Sequence, residues 1–270
     1  VLIWISKRGV IEFREHGARR GREREYGKKV LPEIFQKRLA GLEIPRLDSQ
    51  AYGNIDLIKI AEANMWMQNR FEFLIQCVYT YDETDKEHPV KLLPNLPHIK
   101  QIAIDSTKYK VLLVPKSRRM QATWTTSGID LHVAMYSKFA RVFIVSSDQT
   151  KSDKLVSRVR FIYDHLPEHC PKPEMAVRLG KSGDPTKLIF KETGSIIEGL
   201  SKEPDKIRQE GASLLHVEEI AFWDRPDDAY KAMLPTIQGG GQMIMVSSAR
   251  DGTLFEQLVR DQIVDSVDAI

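Results

Sequence analysis

The sequence predicts an α/β protein, a mostly parallel sheet with helices on both faces. Three observations predict it. Four short apolar runs, at residues 110–115, 141–146, 213–217 and 243–246, are continuously hydrophobic, as strands buried on both faces are. Stretches with helical periodicity lie between them, the alternation expected of a covered parallel sheet. The chain has 270 residues, 42% hydrophobic and 29% charged, which is enough to bury a large core. This balance excludes a disordered tail, a collagen-like fibre and a disulfide-stapled miniprotein.

Taken in order, residues 1–50 read as a basic N-terminal arm. Residues 1–40 carry 11 Lys or Arg against 5 Asp or Glu, and Gly9, Gly17, Gly21, Gly27 and Gly41 interrupt the stretch. Such an arm suits nucleic acid or an acidic partner; a solvated surface laced with both signs is the plainer alternative. Residues 51–97 form a helical lead-in. Ile58, Ala61 and Met65 recur at helical spacing, a bulky run follows at 71–75, and 81–97 is expected to be loop, broken by Asp82, Asp85, Pro89, Pro94 and Pro97.

Residues 98–270 make the core. After the strand at 110–115, Trp124, Gly128, Leu131 and Met135 share a helix face. After 141–146, so do Leu155, Val159, Ile162 and Leu166. Residues 188–190 and 195–197 flank Thr193-Gly194 as a hairpin, and 226–234 is a helix with Pro226 in its first turn. Cys77 and Cys170 are expected to be ordinary buried thiols. No apolar run reaches the roughly 18 to 20 residues that span a bilayer, so no membrane partner is expected. The chain begins at Val1, as a trimmed polypeptide would.

In parallel sheets ligands sit at the carboxyl ends of strands, so the residues after each strand are where chemistry is sought. The first such loop is Lys116, Ser117, Arg118, Arg119, Met120, Gln121, Ala122 and Thr123, leading into a helix. This is the layout of a phosphate loop, in which backbone N–H groups and a helix N-terminus favour phosphate oxygens. Set against G-x-x-x-x-G-K-[ST], Lys116 replaces the first Gly, Gln121 the second and Ala122 the Lys; Thr123 fits. The ammonium would enter from Lys116 at the front of the loop, and Arg118 and Arg119 add bidentate phosphate donors. Otherwise the stretch is a basic surface loop before an ordinary helix.

Glu218 and Glu219 close the third strand. Two adjacent acids there suit an ATPase, the first (with Thr123) holding Mg²⁺ and the second polarising the attacking water. Ser247 and Ser248 end the fourth strand, where small hydroxyls sense the γ-phosphate. Arg208, ten residues before Glu218, is suited to a neighbouring subunit's γ-phosphate, with Arg118 a second arginine considered for catalysis beside Glu219. Each feature alone also fits an ordinary surface; their order and shared place at strand ends carry the reading.

The loop from Lys116 to Trp124 resembles the deviant phosphate-binding (Walker A) loop of tailed-phage large terminase subunits. Residues 214–219 resemble their Walker B strand with its catalytic glutamate, and Ser247-Ser248-Ala249 their coupling motif. Asp205-Lys-Ile-Arg208 resembles a stretch that precedes Walker B, with Gln209 in place of Gly. Gln101 would contact adenine. The resemblance covers residues 90–260. It implies a P-loop NTPase of the additional-strand, catalytic-glutamate type, using ATP and Mg²⁺ to drive double-stranded DNA into a procapsid. It also implies a portal protein and a small terminase subunit as partners, a homo-oligomeric ring, and the host cytoplasm as the place of action, transiently at the portal. Large terminases usually carry a nuclease domain as well, and the chain to Ile270 leaves no room for one. A helicase-type DNA-dependent ATPase and a non-enzymatic DNA-binding module remain alternatives.

Overall fold

The structure, a computed structural model, describes residues 2–5, 11–14, 57–203 and 211–268. The chain divides into two units, residues 1–57 and 58–270. In the first, Leu2–Ile5 (β1) and Ile11–Arg14 (β2) pair antiparallel. The remainder of the expected basic arm, and Arg208 with its neighbours 204–210, lie outside the described residues.

The second unit opens with helices Leu57–Gln68 (α1) and Arg70–Cys77 (α2). Asn69 separates them and caps the second, its side chain accepting from the Glu72 N–H at 3.1 Å. Tyr79–Tyr81 (β3), which ends where the stretch expected to be loop begins, pairs antiparallel with Val90–Leu92 (β4) inside it to form a small hairpin. The breakers Asp82, Asp85 and Pro89 fall in its turn, and three-residue strands leave no periodic signal. Helix Pro97–Asp105 (α3) starts with Pro at its first turn.

The central sheet then forms from Val111–Lys116 (β5), Arg141–Ser146 (β6), Met175–Leu179 (β7), Pro185–Phe190 (β8), Ser195–Ser201 (β9), Leu214–Glu218 (β10) and Gln242–Ser248 (β11). Its order is β5-β11-β10-β6-β9-β8-β7. The first five are mutually parallel; β8 and β7 extend the sheet antiparallel, with the expected hairpin joining β8 to β9. β7 carries no strong sequence signal because none of its residues is fully buried and Arg178 interrupts its apolar run.

Helices Ala122–Tyr136 (α4) and Gln149–Asp164 (α5) follow β5 and β6; Pro226–Met233 (α6) and Leu254–Asp268 (α7) flank β11. Successive strand residues go to opposite faces, as a period of two requires. Leu214, Ile144, Ile244 and Val246 pack with α4 residues Ile129, Leu131 and Val133. Val217, Met243, Met245 and Val145 pack on the other face with Trp223, Met233 and Phe255. Gly128 in α4 is explained by a close approach: a Cβ there would come 2.5 Å from Leu74 Cδ2 on α2. Cys77 and Cys170 are buried free thiols. Among the described residues no helix is long and apolar enough to cross a membrane.

Candidate functional site

The register places the carboxyl ends of four strands side by side. Ser248 is level with Lys116, Glu218 with Val246, and Val217 with Val145. β11 lies between β5 and β10, so the loop after β5 and the acids after β10 meet across one intervening strand. The cleft they bound has a volume of about 710 Å³. All eight expected loop residues, 116 to 123, line it, with Glu218, Glu219 and Ser248.

The loop is built from conformations that few side chains favour. Arg119 (φ 67°) and Gln121 (φ 58°) are left-handed, and α4 starts directly after Gln121 with no side chain capping it. The first-turn N–H groups of α4 have no acceptor within the helix and face the cleft's end of the sheet, with the positive end of the helix dipole behind them. Gln121 Oε1 is buried without a partner. His98 of α3 ties the loop down, its Nε2 lying 2.9 Å from the Met120 carbonyl, and the Ser117 N–H donates to Met120 Sδ at 3.2 Å.

Lys116 sits at the centre. Its Nζ is 3.0 Å from Glu218 Oε1, 2.8 Å from Glu219 Oε1 and 3.2 Å from Thr123 Oγ1. Burial alone would lower its pKa; the Glu218 charge and hydrogen bonds to both acids outweigh that and raise it. The Thr123 hydroxyl donates to Glu218 Oε1 at 2.8 Å.

Glu218 is buried, and burial alone would push its carboxyl up. The hydrogen bond and charge of His216, then Lys116 and Thr123, hold it down at about 2. His216, fully buried in β10, lies with Nδ1 2.7 Å from Asp130 Oδ2 and Nε2 3.2 Å from Glu218 Oε2. Burial works against its charge, but the Asp130 and Glu218 carboxylates outweigh that and raise its pKa to about 9; desolvation raises the pKa of Asp130 as well.

Glu219 takes a left-handed backbone (φ 57°) that turns its side chain out of the strand direction into the cleft. Its Oε2 accepts from the Ser248 N–H at 2.8 Å and the Ser247 hydroxyl at 3.3 Å, and its Oε1 from the Ser248 hydroxyl at 3.2 Å. The serines at the end of β11 therefore hold the second acid directly.

Arg118 and Arg119 line the cleft but are exposed. Helix α5 adds three cations, Lys151, Lys154 and Arg158, spaced to share one face. The Arg158 guanidinium lies 4.8 Å from the Trp124 ring centroid; burial lowers its pKa, opposed by the Glu218 charge. Six cationic side chains against two carboxylates give the cleft a positive excess, chemistry suited to a polyanion. Gln101 does not join it: the side chain is exposed and its amide donates to Asp105 at 2.8 and 2.9 Å. Sequence reasoning missed Asp130, His216 and Arg158. The available signal for His216 was a titratable residue inside an otherwise apolar strand, which requires a buried partner.

Oxygen donors suit a hard cation such as Mg²⁺, and Thr123 Oγ1 and Glu218 Oε1, 2.8 Å apart, supply them. No group of three or more metal-binding side chains exists among the described residues. Mg²⁺ takes one or two protein oxygens and completes its shell with phosphate and water.

The sheet is mostly parallel, with one extra strand, β11, between the loop strand β5 and the acidic strand β10. Among solved structures the chain superposes on the large terminase of bacteriophage HK97 with a TM-score of 0.56 at 15% identity, covering 74% of this chain and 42% of that one. It superposes on an arginine-to-alanine variant of the Thermus phage P74-26 large terminase ATPase domain with a TM-score of 0.50 at 16% identity, over 62% of this chain and 69% of that domain. The fold is thus shared with phage large terminases, and the chain spans less than half the length of the HK97 protein. No known protein family's sequence profile matches the chain, and no curated protein matches it in sequence.

Proposed function

We propose that this chain is a Mg²⁺-dependent ATPase and the motor portion of a large terminase, translocating double-stranded DNA into a viral procapsid. One observation carries the catalytic reading: Lys116 bridges Glu218 and Glu219 at 3.0 and 2.8 Å, beside Thr123 at the uncapped start of α4. Phosphate loop, metal-side acid and general base share one cleft.

In this reading the triphosphate lies along residues 116–123, with Lys116 neutralising the β and γ phosphates and Arg118, Arg119 and Arg158 flanking them. Thr123 and Glu218 would hold Mg²⁺, which neutralises phosphate charge in the transition state. Glu219 accepts a proton from the attacking water. It does so only after giving up part of its bonding to Ser247, Ser248 and Lys116, whose donors compete for the same lone pairs. An incoming γ-phosphate recruits Lys116 and frees the acid. Because Ser248 ends β11, the same change reaches the chain that follows it, which gives hydrolysis a mechanical outlet. Arg208 of a neighbouring subunit, a ring of subunits, the portal, the small subunit and action in the host cytoplasm belong to this proposal through the shared fold.

The test is ATP turnover with and without linear double-stranded DNA. Glu219→Gln is expected to keep ATP binding and lower turnover by about 10²- to 10⁴-fold. Normal turnover in that variant would remove Glu219 as the base. No turnover by the unaltered protein, with DNA present, would remove the ATPase reading.

A further inference from the structure

The site's geometry leaves one buried pair unused. Asp130 and His216 are both fully buried and do not line the cleft themselves, yet His216 reaches the one lining carboxylate that bonds to Thr123. We propose that His216 is a positioning residue that fixes the orientation of Glu218, with Asp130 fixing His216 in turn. The inference rests on the reading of Glu218 as the Mg²⁺-side acid.

The contacts close a ring. Asp130 lies seven residues after Thr123 on α4, about two helical turns and roughly 10 Å along the axis. From Asp130 Oδ2 the chain of contacts runs 2.7 Å to His216 Nδ1, then 3.2 Å from His216 Nε2 to Glu218 Oε2. From Glu218 Oε1 it returns 2.8 Å to the Thr123 hydroxyl on the same helix. The helix that opens at the phosphate loop and the strand that ends in the acids are therefore bolted together twice, once in the cleft and once beneath it. A terminal carboxylate torsion is broad when unrestrained. With Oε2 held from below, Oε1 alone is presented to the cleft. Without that hold, Glu218 can rotate, and Lys116 at 3.0 Å is placed to draw both oxygens towards itself. Outer partners of this kind typically change metal affinity or activity about 10- to 100-fold when removed.

Two substitutions separate positioning from packing. His216→Asn keeps an amide where Nδ1 was, so Asp130 retains its donor while Glu218 loses its own. His216→Gln reaches the Nε2 position and restores the donor to Glu218. The measurements are the half-saturating Mg²⁺ for ATP turnover, and the affinity of a fluorescent, slowly hydrolysed ATP analogue with Mg²⁺ and with EDTA. His216→Asn is expected to raise half-saturating Mg²⁺ about tenfold or more and to lose most of the Mg²⁺-dependent gain in analogue affinity, with EDTA affinity unchanged. His216→Gln is expected to recover Mg²⁺ dependence to within about threefold of the unaltered protein. Equal losses in both variants, or none in either, overturn the proposal. If neither variant folds, Asp130→Asn, which preserves the volume and weakens the hold on His216, decides: unchanged Mg²⁺ dependence there overturns it. Absence of any Mg²⁺ effect on the unaltered protein instead removes the parent reading, and this inference with it.

Discussion

Replacing Lys116 by Met removes the ammonium and keeps most of the apolar stem, so the effect isolates charge. The ammonium lies 3.0 Å from Glu218 and 2.8 Å from Glu219. At an effective dielectric of about 20, one such pair is worth at most roughly 6 kcal/mol before desolvation is subtracted. Breaking a buried ion pair from one side costs about 3 to 5 kcal/mol, because a charge is left uncompensated. Here two carboxylates are left facing each other, but Glu219 is a third exposed and water screens it. The expected loss is therefore about 3 kcal/mol, a fall in melting temperature of roughly 6 to 12 °C for a unit of this size. The assay is thermal unfolding without nucleotide, in a cycle with Glu219→Gln. The double variant Lys116→Met/Glu219→Gln is expected to melt above the single Lys116→Met, with a coupling of about 2 kcal/mol. A Lys116→Met protein that melts with the unaltered one, and a cycle with no coupling, would refute the description of the cleft as a charge cluster pinned by one lysine.

Two further outcomes follow from groups outside that cluster. Arg158→Ala is expected to weaken ATP binding about tenfold by calorimetry, the worth of one charge-assisted phosphate contact; affinity within twofold would remove Arg158 from the site. His132, buried with Nε2 3.0 Å from the Trp66 carbonyl, has its pKa lowered to about 4 by burial and by the Arg70 charge. Below about pH 6.5 the unfolded chain takes up a proton that the folded one refuses, so stability present above that value is lost as pH falls towards 4. His132→Gln should remove that part of the acid destabilisation, up to about 3 kcal/mol, in urea unfolding from pH 7 to pH 4. Parallel pH curves for the two proteins would contradict it.

What could be read from the sequence was what burial writes into it. β5, β6, β10 and β11 are covered on both faces, and their continuous apolar runs follow from that. Lys116, Thr123, Glu218 and Glu219 could be singled out because ligands of parallel sheets sit at strand ends, a rule of topology, and the structure brings the four into one cleft. β7 and the β3–β4 hairpin were not legible, since β7 has no fully buried residue and three-residue strands make too few buried contacts to bias composition. Asp130 and Arg158 look like surface charges on helices. Their meaning lies in what faces them across 86 and 34 residues of chain, which no local pattern encodes. Ser247 and Ser248 were expected to sense phosphate; their contact with Glu219 depends on the left-handed turn at that residue, invisible in a run of two acids.

The most direct measurement is a crystal structure of the chain with Mg²⁺ and a non-hydrolysable ATP analogue. The account predicts the terminal phosphate between Lys116 and Glu219 at the start of α4, with the metal on Thr123 and Glu218. A nucleotide bound elsewhere, with Lys116 still bridging the two glutamates, would contradict it.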